Sequence, residues 1–172
     1  MYHINNMSRP KLVLVLDNVR STHNVGSIMR SAAALGAHGV WCAGITPYPQ
    51  QANDARLPHV AVKAGRDIAK TALGAERMIE VKYFASTDQA IAAAIAEGYD
   101  IWALEQAPKS VSLTDVKPPT KLALIVGHER DGVNDQILKQ ASSIVEIPLP
   151  GHKESLNVSV AAAIALYHLL AD

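Results

Sequence analysis

The chain has 172 residues, of which 49% are hydrophobic, 19% charged and 5% aromatic, with sixteen basic and sixteen acidic side chains. This length and composition predict a soluble protein with one globular domain, residues 1–172, and they exclude bulk disorder. The single cysteine, Cys42, excludes an internal disulfide framework and a four-cysteine zinc site, and it favours a reducing, cytoplasmic location.

Short runs rich in Val, Ile and Leu alternate with helical stretches. This pattern predicts an α/β fold with a mostly parallel sheet and helices on both faces. Strands are predicted at Lys11–Leu16, Val40–Ala43, Glu80–Phe84, Asp100–Leu104, Leu122–Val126 and Ile144–Ile147. Helices are predicted at Asn24–Leu35, Lys63–Leu73, Asp88–Ala96, Asp135–Ala141 and Leu156–Leu170. Thr87 is expected to cap the third helix, and Gly36 is expected to end the first.

Two segments interrupt this alternation. Residues 46–58 form a long polar loop with three prolines, and loops of this kind are usually functional or mobile. Residues 109–121 contain two adjacent prolines and are predicted to be a connector.

The last predicted helix is apolar on nearly all sides. Its apolar run, residues 158–171, is too short to span a bilayer, so no membrane association is expected. A helix that is apolar all round is buried on more than one side. In a chain of this size, burial on more than one side predicts that the last helix lies at a subunit interface. The alternative is that it is a central helix inside a monomer.

Three glycine-bearing segments follow predicted strands and carry the candidate chemistry. The first contains Asn24, Gly26 and Arg30 at the start of a helix. The free backbone amides at a helix N-terminus attract anions, and an arginine can bind phosphate through two hydrogen bonds. An ordinary surface arginine is the better explanation of Arg30 when this segment is considered alone.

The other two segments follow later strands. Residues 125–133 contain Gly127 and Glu129 at the expected carboxyl edge of the sheet, where open α/β sheets bind ligands, although a simple turn also explains them. Residues 147–159 contain Ser155 and Asn157, which can cap the last helix or hydrogen-bond a polar ligand. We expect the three segments to form one composite pocket.

Other kinds of site are not favoured. The seven histidines show no metal-ligand spacing, so no metal is expected. Cys42 lies in a predicted buried strand and is interpreted as a packing residue. The chain lacks the G-x-G-x-x-G turn of dinucleotide-binding enzymes, which argues against a dehydrogenase.

Taken together and in this order, the three segments resemble the SpoU/TrmH branch of the SPOUT RNA methyltransferases. The first family motif, N-x-G-x-x-x-R, is matched by Asn24, Gly26 and Arg30. The second, G-x-E-x-x-G, is matched by Gly127, Glu129 and Gly132. The third, I-P-x-x-G-x-x-x-S-L-N-V-S, is matched throughout residues 147–159.

This resemblance implies an α/β-knot fold with a deep C-terminal trefoil knot, and a homodimer. It also implies that S-adenosyl-L-methionine binds in the knot and is released as S-adenosyl-L-homocysteine, without a metal. By the family pattern the cofactor touches Leu104, Gly127, Ile147, Ser155 and Leu156.

The implied reaction is transfer of a methyl group to a ribose 2′-hydroxyl of RNA. Arg30 carries over as the central catalytic residue, with Asn24, Glu129, Ser155 and Asn157 positioning it and the ribose. A guanidinium, with a pKa above about 12, is a poor base. We therefore expect Arg30 to hold the adjacent phosphate and polarise the hydroxyl.

The distribution of charge suggests where RNA binds. Residues 1–77 hold nine basic and four acidic side chains, whereas residues 78–172 hold seven and twelve. Such asymmetry is a hint of a nucleic-acid surface, although chance is the alternative. No separate RNA-binding domain is expected, so the predicted contacts lie within this domain, at Arg20, Arg56, His59, Lys63, Arg66, Lys70 and Lys153.

Transfer RNA is the first expected substrate and ribosomal RNA the second. The alternative function is a catalytically silent knotted module that binds RNA or the cofactor.

Overall fold

The computed structural model describes residues 9–170. The strands in this part of the chain are β1 (Lys11–Asp17), β2 (Gly39–Ala43), β3 (Glu80–Phe84), β4 (Asp100–Leu104), β5 (Val111–Ser112), β6 (Lys121–Val126) and β7 (Ser143–Glu146). They form one sheet in the order β3-β2-β1-β6-β4-β7-β5. Every pairing between these strands is parallel, so their carboxyl ends all lie at the same edge of the sheet.

Helices cover both faces of this sheet, as the sequence predicts. They are α1 (Thr22–Leu35), α2 (Pro58–Ala72), α3 (Thr87–Ala96), α4 (Asp135–Leu138) and α5 (Val158–Leu170). Side chains alternate across a strand, and in β1 the leucines pack with α1, α2 and α5 while Val13 and Val15 pack with α3 and α4. The expected α/β architecture with a parallel sheet is confirmed.

Gly26 of the first motif permits the close crossing of α1 and α2. A Cβ at this position would collide with the Thr71 hydroxyl and the Ile68 carbonyl oxygen. The Thr71 hydroxyl also donates a hydrogen bond of 2.9 Å to the His23 carbonyl oxygen. The glycine is therefore explained by helix packing.

Four helices begin elsewhere than predicted, α1 and α3 by only two residues and one residue, at Thr22 and Thr87. The helix expected from Lys63 begins at Pro58, because proline is well suited to the first turn of a helix, where its missing N–H is not needed. The last helix begins at Val158 rather than Leu156. Asn157 precedes it, and its Oδ1 accepts a hydrogen bond of 2.8 Å from the Ser159 amide.

The expected cap of the third helix is wrong by one residue. Ser86 caps α3 by accepting a hydrogen bond from the Gln89 amide. The Thr87 hydroxyl instead donates to the buried carboxylate of Asp17, at 2.5 Å, and so links α3 to the end of β1. The predicted end at Gly36 is confirmed, since this residue adopts a left-handed conformation with φ of 81°.

The remaining differences are small. The predicted connector contains β5, which pairs with β7, and α4 ends at Leu138 rather than Ala141. Cys42 is fully buried, and this burial raises the pKa of its thiol to about 12, which agrees with its interpretation as a packing residue. None of the helices within residues 9–170 has the length and apolar character needed to cross a membrane.

The single domain of residues 1–172 stays a prediction. Its first eight and last two residues lie outside the described part of the chain.

Candidate active site

A cleft opens where β4, β6 and β7 end. Its volume is about 250 Å³, near the lower end of small-molecule sites, roughly 300 Å³. The structure places all five predicted cofactor residues in its wall: Leu104, Gly127, Ile147, Ser155 and Leu156. The parallel sheet explains this, because it brings the segments that follow three different strands to one edge.

The loop between β7 and α5 forms one side of the cleft. Among the hydrogen bonds of the described residues, none uses a backbone group of residues 147–156. Leu149 and Leu156 of this loop line the cleft. The loop therefore offers apolar contacts together with free backbone donors and acceptors.

The second motif folds into a tight turn beside this loop. The amides and carbonyls of His128 and Gly132 exchange hydrogen bonds of 3.1 and 3.0 Å. A Cβ at Gly127 would collide with the backbone of Gly132. Gly132 itself has a φ of 67°, and a Cβ there would collide with the Glu105 carboxylate. Both glycines are required by the turn that presents Glu129.

Glu129 joins this turn to the first motif. Its carboxylate accepts hydrogen bonds from the amides of Arg20 at 3.1 Å and Ser21 at 3.0 Å, and from Nδ2 of Asn24 at 3.0 Å. Partial burial of Glu129 works to raise its pKa, but these three donors outweigh it and leave the pKa below its ordinary value. Glu129 is therefore held in its ionised form.

Asn24 connects Glu129 to the third motif. Its Oδ1 accepts a hydrogen bond of 3.2 Å from Nδ2 of Asn157. One chain of hydrogen bonds thus runs from Glu129 through Asn24 to Asn157, and it joins the first motif to two segments that each lie more than 100 residues from it in sequence. We call Glu129, Asn24 and Asn157 the motif bridge.

Arg30 does not lie in this cleft. It lines a separate groove between α1 and α2, together with Ser27, Ser31, Ala34, Lys70, Thr71 and Leu73. Arg30 follows Asn24 by six residues, a displacement of about 9 Å along the helix axis. Within one chain the structure therefore separates the predicted catalytic arginine from the predicted cofactor residues.

The predicted RNA-binding residues fall into different environments. Lys63 and Lys70 both form ion pairs with Asp67, at 2.9 and 2.7 Å. The hydrogen bond from Lys70, followed by the one from Lys63, lowers the pKa of the Asp67 carboxyl. The side chains of Arg20, His59, Arg66 and Lys153 are exposed. These residues remain available to a ligand.

Arg56 is the exception, because its guanidinium is already occupied. It forms hydrogen bonds of 2.8 and 2.6 Å with Asp54, and others with the carbonyl oxygens of Tyr48 and Pro49. The hydrogen bond from Arg56 holds the pKa of the Asp54 carboxyl well below its usual range. We therefore assign Arg56 to the internal structure of the loop that precedes α2.

Sequence reasoning missed two acidic residues in the wall of the cleft. Glu105 follows β4 directly and accepts hydrogen bonds of 2.8 Å from the amides of Gln106 and Val133, so it supports the turn at Gly132. Glu146 accepts a hydrogen bond of 2.6 Å from the Ser110 hydroxyl. The signal in the sequence was their position at strand ends. Among residues 9–170, no group of three or more His, Cys, Asp or Glu side chains is arranged to hold a metal ion.

Comparison with known proteins places this geometry in context. Residues 11–167 match the model of the SpoU rRNA methylase family. The 23S rRNA (guanosine-2′-O-)-methyltransferase RlmB of Ralstonia nicotianae is 32% identical over 161 residues, which cover 92% of this chain and 57% of that protein.

Two solved structures are also similar. The AdoMet-bound rRNA methyltransferase from Sinorhizobium meliloti matches with a TM-score of 0.75 and 25% identity, over 94% of this chain and 56% of that one. A structure described as giving insights into the 2-OH methylation of C/U34 on tRNA matches with a TM-score of 0.69 and 25% identity, over 92% of this chain and 93% of that one. The chain thus spans less than two thirds of the first two proteins and nearly all of the third.

Proposed function

This chain belongs to the SpoU rRNA methylase family, and on that premise we propose that it transfers a methyl group from S-adenosylmethionine to a ribose 2′-hydroxyl of RNA. The observation that carries the proposal is the motif bridge, which joins all three family motifs beside one cleft. Transfer RNA is the preferred substrate. Its support is the similar structure that this chain covers to 93%, which is described by the 2-OH methylation of C/U34 on tRNA.

The cleft suits S-adenosylmethionine. Leu104, Ile147 and Leu156 supply apolar walls for an adenine ring, and the free backbone of residues 147–156 can hydrogen-bond its edge. The carboxylates of Glu105 and Glu146 favour a ligand with positive charge. A bound cofactor in the similar methyltransferase from Sinorhizobium meliloti supports the same assignment.

The chemistry that the bound cofactor supplies is an electrophilic methyl group, whose transfer forms a C–O bond, breaks a C–S bond and releases the hydroxyl proton. The protein's task is to place the ribose in line and to assist loss of the proton. Glu129, fixed by three donors, ties the turn that lines the cleft to the segment before α1 and to Asn24. Arg30 holds the phosphate beside the reacting ribose and polarises the hydroxyl, whose proton passes to that phosphate or to water.

A homodimer would bring Arg30 to the cleft. Val160, Ile164 and Tyr167 form an apolar stripe on α5 and are 46%, 40% and 65% exposed. Val158 and Ala161 of the same helix line the cleft. A second copy that covers the stripe therefore lies beside the cleft, where it can present its own arginine.

The deep trefoil knot belongs to the same proposal. One support is the family match over residues 11–167. The other is the sheet order, because β4 lies between β6 and β7 and the segments that follow these three strands line one cleft. An experimentally determined backbone trace tests it directly.

The first experiment is nucleoside mass spectrometry after incubation of the purified protein with S-adenosylmethionine and unmodified tRNA or rRNA. We expect one 2′-O-methylnucleoside to increase. A methylated base would contradict the proposed reaction. Cofactor binding without any product, on either class of RNA, would favour the silent binding module.

Arg30 has its own test. Arg30→Ala should abolish product while leaving the calorimetric affinity for the cofactor nearly unchanged, and Arg30→Lys should also fail because lysine lacks the two-pronged geometry. Mixing the Arg30→Ala protein with the Glu129→Gln protein should restore activity if Arg30 acts across the dimer. In a mixed dimer, one cleft then combines an intact Glu129 with the intact arginine of the other copy. An equal loss of cofactor affinity in Arg30→Ala, or a nearly active lysine variant, would contradict this role.

A further inference from the structure

An aromatic stack lies outside the cofactor cleft. The rings of Tyr48 and Tyr83 are stacked, with centroids 4.2 Å apart and an interplanar angle of 23°. The Arg56 guanidinium lies 3.5 Å from the centroid of the Tyr48 ring. Because two groups at these distances cannot share one face of a ring, Arg56 and Tyr83 cover opposite faces of Tyr48. The stack therefore ends in Tyr83.

Tyr83 is the exposed end of this stack. Tyr48 covers the inner face, yet Tyr83 is 38% exposed while Tyr48 is 7% exposed, so the exposure of Tyr83 comes from its outer face and edges. The Tyr83 hydroxyl donates a hydrogen bond of 3.1 Å to the Gly44 carbonyl oxygen. This bond and the stack fix the ring before any ligand arrives, which lowers the entropy cost of binding.

The stack lies at the same sheet edge as the cleft. Tyr83 is the penultimate residue of β3, the outermost strand on its side of the sheet. Three strand spacings separate β3 from β6, a distance of about 14 Å. The exposed Arg20 follows β1, which lies between those strands. An extended RNA strand covers this path in a few nucleotides.

We propose that the outer face of Tyr83 is a stacking platform for an unpaired base of the RNA substrate, near the methylated nucleotide. This inference rests on the proposed function. Proteins recognise single-stranded RNA largely by stacking its bases on aromatic side chains. A flat, rigid and exposed aromatic ring on the edge that carries the cleft meets that requirement. Arg20 supplies a positive charge for the intervening phosphates.

Tyr83→Leu and Tyr83→Phe separate stacking from packing. Tyr83→Leu removes the stacking surface, so it should weaken the binding of unmodified tRNA by roughly five-fold or more. The KM for tRNA should rise by a similar factor. Tyr83→Phe keeps the ring and should stay close to the unmodified protein. Both variants should keep the calorimetric affinity for S-adenosylmethionine. Tyr83→Leu should lower the thermal midpoint only slightly, because it removes a single aromatic pair, the stack with Tyr48. Ultraviolet crosslinking of the tRNA complex should place a crosslink on Tyr83.

Met78→Ala is the matched surface control, because this side chain is 81% exposed, and it should leave the KM for tRNA unchanged. The inference is overturned if the protein methylates RNA and Tyr83→Leu leaves that KM unchanged, while the proposed function stands. It is also overturned if Tyr83→Leu raises that KM only together with a loss of affinity for S-adenosylmethionine, since that shows a purely structural role. A protein that neither binds nor methylates RNA overturns both.

Discussion

At the scale of single residues, the ionised form of Glu129 stabilises the junction between two motifs. Its pKa lies below the ordinary value of 4.5, because the hydrogen bonds from Ser21, Arg20 and Asn24 outweigh its burial. A carboxyl whose pKa is lowered on folding contributes stability above its unfolded pKa and loses it as the pH falls through the folded pKa. Glu129→Gln should therefore lower the thermal midpoint near neutral pH, and the difference should shrink below about pH 4.5.

Glu154→Gln provides the control for this experiment. Glu154 is an exposed carboxylate in the loop before α5, so its substitution should change the midpoint little at either pH. A Glu129→Gln difference that stays constant from neutral pH down to about pH 3 would contradict the stabilising role of the charge.

Gly26 gives a residue-scale prediction about packing. Gly26→Ala places a methyl group against the Thr71 hydroxyl and the Ile68 carbonyl oxygen, so α1 and α2 must separate. Overpacking of this kind costs about 1–3 kcal/mol. We expect a loss of that size in the free energy of unfolding measured with urea.

Gly65→Ala is the matched substitution on α2. Its new methyl group would meet the Gln50 amide nitrogen at an ordinary distance of 3.4 Å. Alanine is a better helix former than glycine, so Gly65→Ala should raise the free energy of unfolding by up to about 1 kcal/mol. Equal losses in the two variants would show that the close crossing is not the reason for Gly26.

At the scale of elements, α5 has two apolar sides, of which one packs in the core and the other is exposed. Leu166 and Leu169 pack into the core of the chain, whereas Val160, Ile164 and Tyr167 remain exposed. A charge at Ile164 should prevent a second copy from covering this stripe. We expect Ile164→Glu to be monomeric in sedimentation equilibrium at concentrations where the unmodified protein is dimeric.

Ile95→Glu is the control for the dimer. Ile95 on α3 is 59% exposed, more than Ile164 at 40%, but it lies on the helix that covers the opposite face of the sheet. Its substitution should leave the dimer intact. If Ile164→Glu also stays dimeric, the interface lies elsewhere.

Most elements could be predicted from the sequence because their signal is local. The apolar runs predicted the six longer strands. The strand β5 was not predicted, because it has only two residues and is defined by its pairing with β7. Ser86 and Thr87 are both good capping residues. The choice between them depends on Asp17, seventy residues from Thr87 in sequence and in contact only after folding.

The site was predictable to a similar extent. The third motif identified cleft residues because a loop of fixed spacing between β7 and α5 reaches the same edge as the other two motifs. The separate groove of Arg30 was not predictable, since it depends on how α1 lies against α2. Glu105 belongs to no motif, and its role depends on the turn that it supports.

At the scale of the whole molecule, a net charge of zero conceals two regions of opposite sign. The excess of basic residues lies in residues 1–77, which include α1 and α2. Arg30 and Lys70 line one groove between these helices, and Lys63 and Arg66 lie on the same α2 helix. Phosphate binding to this surface releases counterions, so its contribution to affinity depends on salt.

Charge reversal on α2 tests this surface. Lys63→Glu and Arg66→Glu should weaken tRNA binding, and each lost phosphate contact should reduce the slope of log Kd against log salt concentration by about 0.7–0.9. Lys139→Glu is the control, because Lys139 follows α4 on the opposite face of the sheet and is also exposed. If the slope responds equally to Lys139→Glu, the attraction is general rather than local. If the slope does not respond to the α2 variants, RNA approaches the cleft from another side.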